Sequence, residues 1–224
     1  MPQPTSQTPL TQSSYQVRFE WGADGLAGLA PADVVIVVDV LRFSSTMADA
    51  VAQAPIALER ALAWSANGAQ VAGAAARVAP VVLIGGIRNA SATARAVMTL
   101  QERRGDRTSV SVVAAGERDA DGRLRFAVED QLGAGAVIAA LSDLGIDHSS
   151  PEAAVSAESF RALRRGLRHL LIGSASGREL ADGVASTERM LADGIRPATI
   201  EECAAADATE TVPELQGGVF VPFA

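Results

Sequence analysis

Asp39, Arg42, Ser44, Ser45 and Thr46 fall within one short stretch, VVDVLRFSST, whose residue types suit an anion. Asp39 offers hard carboxylate oxygens and Arg42 a planar fork of N–H donors. The backbone N–H groups of Ser44 to Thr46 would form the positive end of a helix starting there. Three other places gather polar groups: Asn67-Gly68, Glu117-Arg118 with Glu129-Asp130, and Ser174 to Arg178, which contains Ser176. Together they suggest metal-assisted handling of a phosphate. Asp39, Glu129 and Asp130 have the hard oxygens that Mg²⁺ takes. Arg42, Ser44, Ser45, Thr46, Asn67, Gly68, Arg118 and Ser176 would surround the anion. Asp39, Glu117 and Asp130 are the candidates for the chemical step, polarising a phosphoryl centre and orienting a water. Each group also has a plainer reading. Asp39 could cap a neighbouring turn, Glu129-Asp130 could complement a helix dipole, and Ser174 could be an ordinary N-cap.

The elements that must position these residues follow from the apolar pattern. Val34 to Val38 is a wholly apolar β-branched run, which predicts a strand buried on both faces with Asp39 at its carboxyl end. Gln16 to Trp21 alternates and predicts an edge strand; Val81 to Ile84 and Thr108 to Ala115 predict two more buried ones. Between them the sequence predicts helices from Thr46 to Gln53 with Ser44 and Ser45 as caps, from Ile56 to Trp64, from Gln70 to Val78, and from an Asn89 cap to Arg103. Further helices are expected over Val128 to Leu144, Pro151 to His169 and Ile200 to Ala206, with Gly116 to Leu124 a charged loop. Val212 to Leu215 and Val219 to Val221 read as a closing hairpin. Strands alternating with helices predict an α/β three-layer sandwich with a mostly parallel sheet, whose ligand sits beyond the strands' carboxyl ends.

At 224 residues the chain is expected to form a single α/β domain over residues 15–224 behind a disordered tail, residues 1–14. The net charge of −7 and the absence of a basic cluster argue against nucleic-acid binding. All 19 basic residues are arginine, a bias of composition more than of chemistry. One cysteine excludes an internal disulfide and a thiolate metal cluster, and a reduced, cytoplasmic setting is expected. No apolar run is long enough for a membrane helix. The sequence has no GxxxxGK[ST], no GxGxxG after a strand and no GxSxG, which removes the usual support for P-loop, dinucleotide and serine-hydrolase chemistry. His148 and His169 have no partners at metal or triad spacing and read as structural or surface residues. Arg161, Arg164, Arg165 and Arg168 read as a solvated helix face.

Several segments carry a resemblance. VVDVLRFSST, the turn SANGA, GGIRNASA, VVAAGER with FAVEDQLGAGAVIAAL, SASGREL and VPELQGGVF resemble, in register, the 2-phosphosulfolactate phosphatases, also called the ComB family. The resemblance implies Mg²⁺-dependent hydrolysis of 2-phosphosulfolactate to 3-sulfolactate and phosphate, with a small anionic phosphomonoester as partner and no nucleic acid or membrane. The chain departs from the family pattern in filling the gap between the DVLR strand and the NGT turn with only Met47 to Trp64, and in carrying Ala69 where the turn has a hydroxyl residue. Two readings of other classes stay open: a catalytically impaired relative that binds small anions, and an interaction protein that forms homo-oligomers through its Ala/Gly-rich surfaces.

Overall fold

The computed structural model describes residues 8–65 and 67–224. In chain order the elements are β1 (Val17–Trp21), α1 (Gly22–Gly28), β2 (Val34–Val38), α2 (Phe43–Gln53), β3 (Ile56–Ala57), α3 (Leu58–Trp64), α4 (Gly68–Ala75), β4 (Val81–Gly85), α5 (Ala90–Arg104) and β5 (Val110–Ala114). There follow β6 (Glu117–Arg118), β7 (Leu124–Arg125), α6 (Val128–Asp143), α7 (Pro151–Leu163), α8 (Leu167–Gly173), α9 (Ala175–Asp182), α10 (Ala185–Ala192), α11 (Ile200–Cys203), β8 (Pro213–Gln216) and β9 (Val219–Pro222).

The main sheet has the order β1-β5-β2-β4-β8-β9-β3. Its first four strands are parallel, and the last three extend it by antiparallel pairing. Helices cover both faces, which makes the expected three-layer sandwich. On one side Val34, Ile36 and Val38 pack with residues of α5, α6 and α7. On the other Val35 and Val37 pack with Phe43, Met47 and Val51 of α2 and with α3 and α4. Both faces of β2 are therefore buried, as its unbroken apolar run requires. β2 also lies between β4 and β5, and the chain leaves β2 and β5 on opposite faces, by α2 and by α6. That divergence opens a crevice beyond their carboxyl ends. Val38 pairs with Ala114 in register, so Asp39 and Glu117 come off the same edge of the sheet.

Several expectations are corrected. The tail was expected to be disordered to residue 14; residues 1–7 lie outside the described residues, but residues 8–14 are ordered. A 3-10 turn at Pro9–Thr11 leads to a buried Gln12, whose carboxamide donates to the Phe19 carbonyl at 2.9 Å and accepts from its N–H at 3.0 Å. The side chain thus completes part of an exposed strand edge. Ile56-Ala57 is strand rather than helix because it pairs with Val219 and Phe220, a partner invisible to local pattern. The helix expected from Pro151 to His169 breaks at a 3-10 turn, Arg164–Gly166, and the loop at 116–124 closes as the β6–β7 hairpin. Asn89 does not cap α5; its amide donates to the carbonyls of Ile84 and Thr211. Residues 185–192 form a helix where no element was expected.

The small residues of α6 are packing devices. A Cβ on Gly133 would lie 2.4 Å from a methyl of Val40, and one on Gly135 would lie 2.1 Å from the Ser156 carbonyl oxygen of α7. Gly135→Ala sets a helix-propensity gain of up to about 1 kcal/mol against overpacking on rigid backbone, typically about 1–3 kcal/mol. The clash with backbone decides the sign. A net loss of about 1–2 kcal/mol is expected from urea denaturation, and a stabilised variant would show that α6 and α7 are not in close contact.

Candidate active site

Asp39, one residue past β2, is 8% exposed and holds two helix starts. One carboxylate oxygen accepts from the N–H of Phe43, the first residue of α2, at 3.3 Å, and the other from Gly68, the first residue of α4, at 2.9 Å. The Asp39 carboxylate thus satisfies the first N–H group of each of two helices. Gly68 has to be glycine, because a Cβ there would lie 2.5 Å from the Phe43 ring and 2.7 Å from the Asp39 carboxylate.

The hydroxyls of the cluster are engaged with backbone groups. Ser44 accepts from the Asp39 N–H at 2.9 Å, Ser45 donates to the Val40 carbonyl at 2.9 Å, and Thr46 accepts from the Ala198 N–H at 3.1 Å. All three are buried. The N–H groups of Ser44 and Thr46 are taken by the carbonyls of Asp39 and Arg42. These residues fasten the turn that aims Asp39 and Arg42.

Asp130, in the first turn of α6, is a clamp. Its two oxygens accept from Val40 N–H at 2.7 Å and Gly116 N–H at 2.9 Å, which ties the segments after β2 and β5 to one helix start. It lines neither cavity described below, and both of its oxygens are engaged by backbone N–H groups. Ser174 caps α9 by accepting from Gly177 N–H at 3.0 Å, the plain N-cap reading.

Asp39, Arg42, Asn67, Glu117 and Ser176 line one cavity of about 280 Å³. A second of about 140 Å³ adjoins it across Glu117, Ser176 and Glu179 and adds Arg118 and Glu129. Arg118 itself is exposed and donates to the Gly122 carbonyl within the β6–β7 hairpin, so it borders the site rather than filling it. Sequence reasoning missed Trp64 at the end of α3, Glu179 on α9, and Ser186 and Arg189 on α10, all of which line the larger cavity. Only the SASGREL resemblance pointed near Glu179; α10 gave no signal.

The electrostatics are those of crowded carboxylates. Burial pushes the Asp39 carboxyl up to about 6, and the charge of Glu129 adds to this against the Phe43 and Gly68 N–H groups. Burial, then the charges of Asp39, Glu179 and Glu129, push Glu117 up to about 7, while the 2.6 Å hydrogen bond from Asn67 opposes them. Burial and the same two neighbours, Asp39 and Glu129, hold Asp130 well above the usual carboxylate range. Arg42 donates through Nη2 to the Thr187 hydroxyl, but among the described residues its buried Nε has no acceptor.

Hard, crowded oxygens of this kind suit a divalent cation. Among the described residues no three His, Cys, Asp or Glu side chains are gathered tightly enough to hold an ion by themselves. Mg²⁺ commonly binds through one or two carboxylates and keeps several waters, so the donor set fits that cation. Asp39 and Glu129 have the capacity: a carboxylate has about four lone-pair sites, of which Asp39 uses two.

The family model described as 2-phosphosulpholactate phosphatase matches residues 52–218. The chain belongs to this family. It is a family of phosphoric monoester hydrolases, and the matched span contains Asn67, Glu117, Glu129, Asp130 and Ser176; Asp39 and Arg42 lie ahead of it. No curated protein matches the chain. Among the described residues no helix is long and apolar enough to cross a membrane.

Asp130→Asn is expected to act on stability first. The amide keeps one acceptor but turns an NH₂ toward a backbone donor, leaving one buried N–H unmet at a cost of about 1–3 kcal/mol. A drop of that size in urea denaturation is expected; unchanged stability with lost metal binding would instead make Asp130 a ligand.

Proposed function

We propose that the protein hydrolyses a small phosphomonoester, 2-phosphosulfolactate foremost, to the alcohol (3-sulfolactate) and phosphate with the help of Mg²⁺. The observation that carries this is the 280 Å³ cavity at the parallel strands' carboxyl ends, lined by Arg42, whose Nε is unmet among the described residues, and by Asp39 and Glu117 with raised pKa values. Membership of a phosphatase family supports the reaction type.

In this reading Arg42 donates Nε and the rest of its fork to the phosphoryl oxygens. Asp39 and Glu129 would hold Mg²⁺, which would supply charge withdrawal from the phosphoryl group and shielding of the carboxylates from one another. Glu117, oriented by Asn67, takes the proton of the attacking water. The water oxygen bonds to phosphorus, the ester P–O bond breaks, the departing alkoxide takes a proton from solvent, and Glu117 returns its proton to solvent. Asp130 holds the two loops that carry Asp39 and Glu117 at a fixed spacing.

Phosphate release from a panel of small phosphomonoesters, measured with Mg²⁺ and with EDTA, tests the reading. Metal-dependent turnover of 2-phosphosulfolactate is the expected result, and no turnover of any ester with saturating Mg²⁺ would refute it. Glu117→Gln should lower kcat by about 10²–10⁴ while Mg²⁺ binding persists. A variant with unaltered kcat would remove Glu117 from the chemistry.

The raised carboxyl pKa values also fix a sign for stability. A carboxyl whose pKa is higher folded than unfolded favours folding in its protonated form. Its contribution is full below the ordinary value near 4 and is lost as pH rises through about 6 for Asp39 and about 7 for Glu117. The melting temperature of metal-free protein should therefore lose this contribution between pH 4 and 7. Added Mg²⁺, which competes with protons for the same oxygens, should raise it more at pH 8 than at pH 5. Equal Mg²⁺ shifts at the two pH values would place the ion elsewhere.

A further inference from the structure

Arg42 lines the larger cavity together with the carboxylates of Asp39, Glu117 and Glu179, yet among the described residues it forms an ion pair with none of them. The side-chain partner it does have is neutral. Nη2 donates to the Thr187 hydroxyl, and among the described residues the buried Nε is left without an acceptor. A carboxylate in the place of Thr187 would hold the guanidinium by its charge and cancel much of what the cation offers an anion. A hydroxyl fixes the plane of the fork and leaves the charge unspent.

Thr187 does not line the cavity itself. It stands in the first turn of α10, whose Ala185, Ser186 and Arg189 do line it. The two ends of α10 are secured differently. At the carboxyl end Met190 is buried in the same apolar cluster as Phe43 and Trp64, and Asp193 pairs with Arg60 at 2.5 Å. At the amino end, among the described residues, Thr187 with Arg42 is the one side-chain hydrogen bond formed by residues 183 to 188. The chain enters the helix through Gly183 at a φ of 92°, and a Cβ there would meet open space. A single contact thus fixes the plane of Arg42 and the cavity end of α10 together.

We propose that Thr187 is a positioning residue for the phosphate-binding arginine: its hydroxyl fixes the Arg42 fork without neutralising it, and so couples the seating of the amino end of α10 to anion binding. This rests on the assignment of Arg42 to the phosphoryl group and adds the residue through which the cover of the cavity responds to the ligand. By linkage, an anion that binds the fixed fork more tightly favours the seated helix by the same factor.

Calorimetric titration of the full chain with inorganic phosphate, Mg²⁺ present, tests this in two variants. Thr187→Val keeps the shape of the side chain and removes the hydroxyl; Thr187→Ser keeps the hydroxyl. The valine variant should bind phosphate about tenfold more weakly, and the serine variant within about twofold of wild type. A purely structural role would lower the urea midpoint and leave phosphate affinity unmoved. Hydrogen exchange at the amides of residues 185 to 189 reads the coupling directly. Saturating phosphate should slow it at least about threefold in the wild type and the serine variant, and leave it unchanged in the valine variant.

Equal phosphate affinity in all three proteins overturns the proposal, as does a serine variant as weak as the valine one. Exchange in wild-type α10 that phosphate does not alter overturns it too, and so does a wild type that binds no phosphate, whatever it hydrolyses. The hydrolysis reading fails separately: if no ester is turned over while phosphate binding follows the expected pattern, Thr187 still positions Arg42 and only the chemistry is lost.

Discussion

The Asp130 clamp is the constraint on which the site depends. Two loops leave neighbouring parallel strands on opposite sides of the sheet, and nothing in their own sequences would hold them at one spacing. A carboxylate at the start of α6 receives one N–H from each. Burying it is unfavourable, as the rise in its pKa shows, and the two hydrogen bonds offset that cost only while both loops stay in place. Asp39 repeats the device at the next level by joining the starts of α2 and α4. Two buried carboxylates that already accept from backbone thus frame the place where other carboxylates are left free.

The glycines of α6 follow from the same requirement. For Asp130 to reach Val40 and Gly116, α6 must lie hard against β2 and the segment beyond it, and Gly133 permits that contact where any Cβ would strike Val38 or Val40. The chain is acidic overall, so attraction of an anionic substrate has to be local. Arg42 and Arg189 supply it, and a bound divalent cation would supply more.

Much of the architecture was legible because the interior strands are unbroken β-branched runs, a pattern that only a doubly covered strand tolerates. The placement of Asp39 and Glu117 at one sheet edge followed from that alone. The roles within the site were less legible. Ser44, Ser45 and Thr46 look like anion ligands by type and spacing, yet each hydroxyl is spent on backbone groups, Thr46 on Ala198 far along the chain. Asp130 looked like a ligand because its partners, Val40 and Gly116, are amides that every sequence has everywhere. The α10 helix, which brings Arg189, is short and polar with Met190 as its one buried residue, so it has no periodicity to read. Its position is set by Arg60–Asp193 and by the Thr187 contact with Arg42, pairings that exist only after folding.

The place of the β8–β9 hairpin in the sheet bears on how the molecule assembles. β3, formed by residues 56 and 57, has β9 as its only strand partner among the described residues, pairing with residues 219 and 220. Closing so long a loop costs entropy that no local contact returns, so this pairing waits until the parallel core exists to receive β8 on the edge of β4. Trp64 ends the helix that begins directly after β3, and it forms a wall of the cavity. During synthesis the parallel core can therefore settle around its buried strands while this wall is still unanchored. The cavity wall thus depends on a strand pairing that joins residues 56 and 57 to residues 219 and 220.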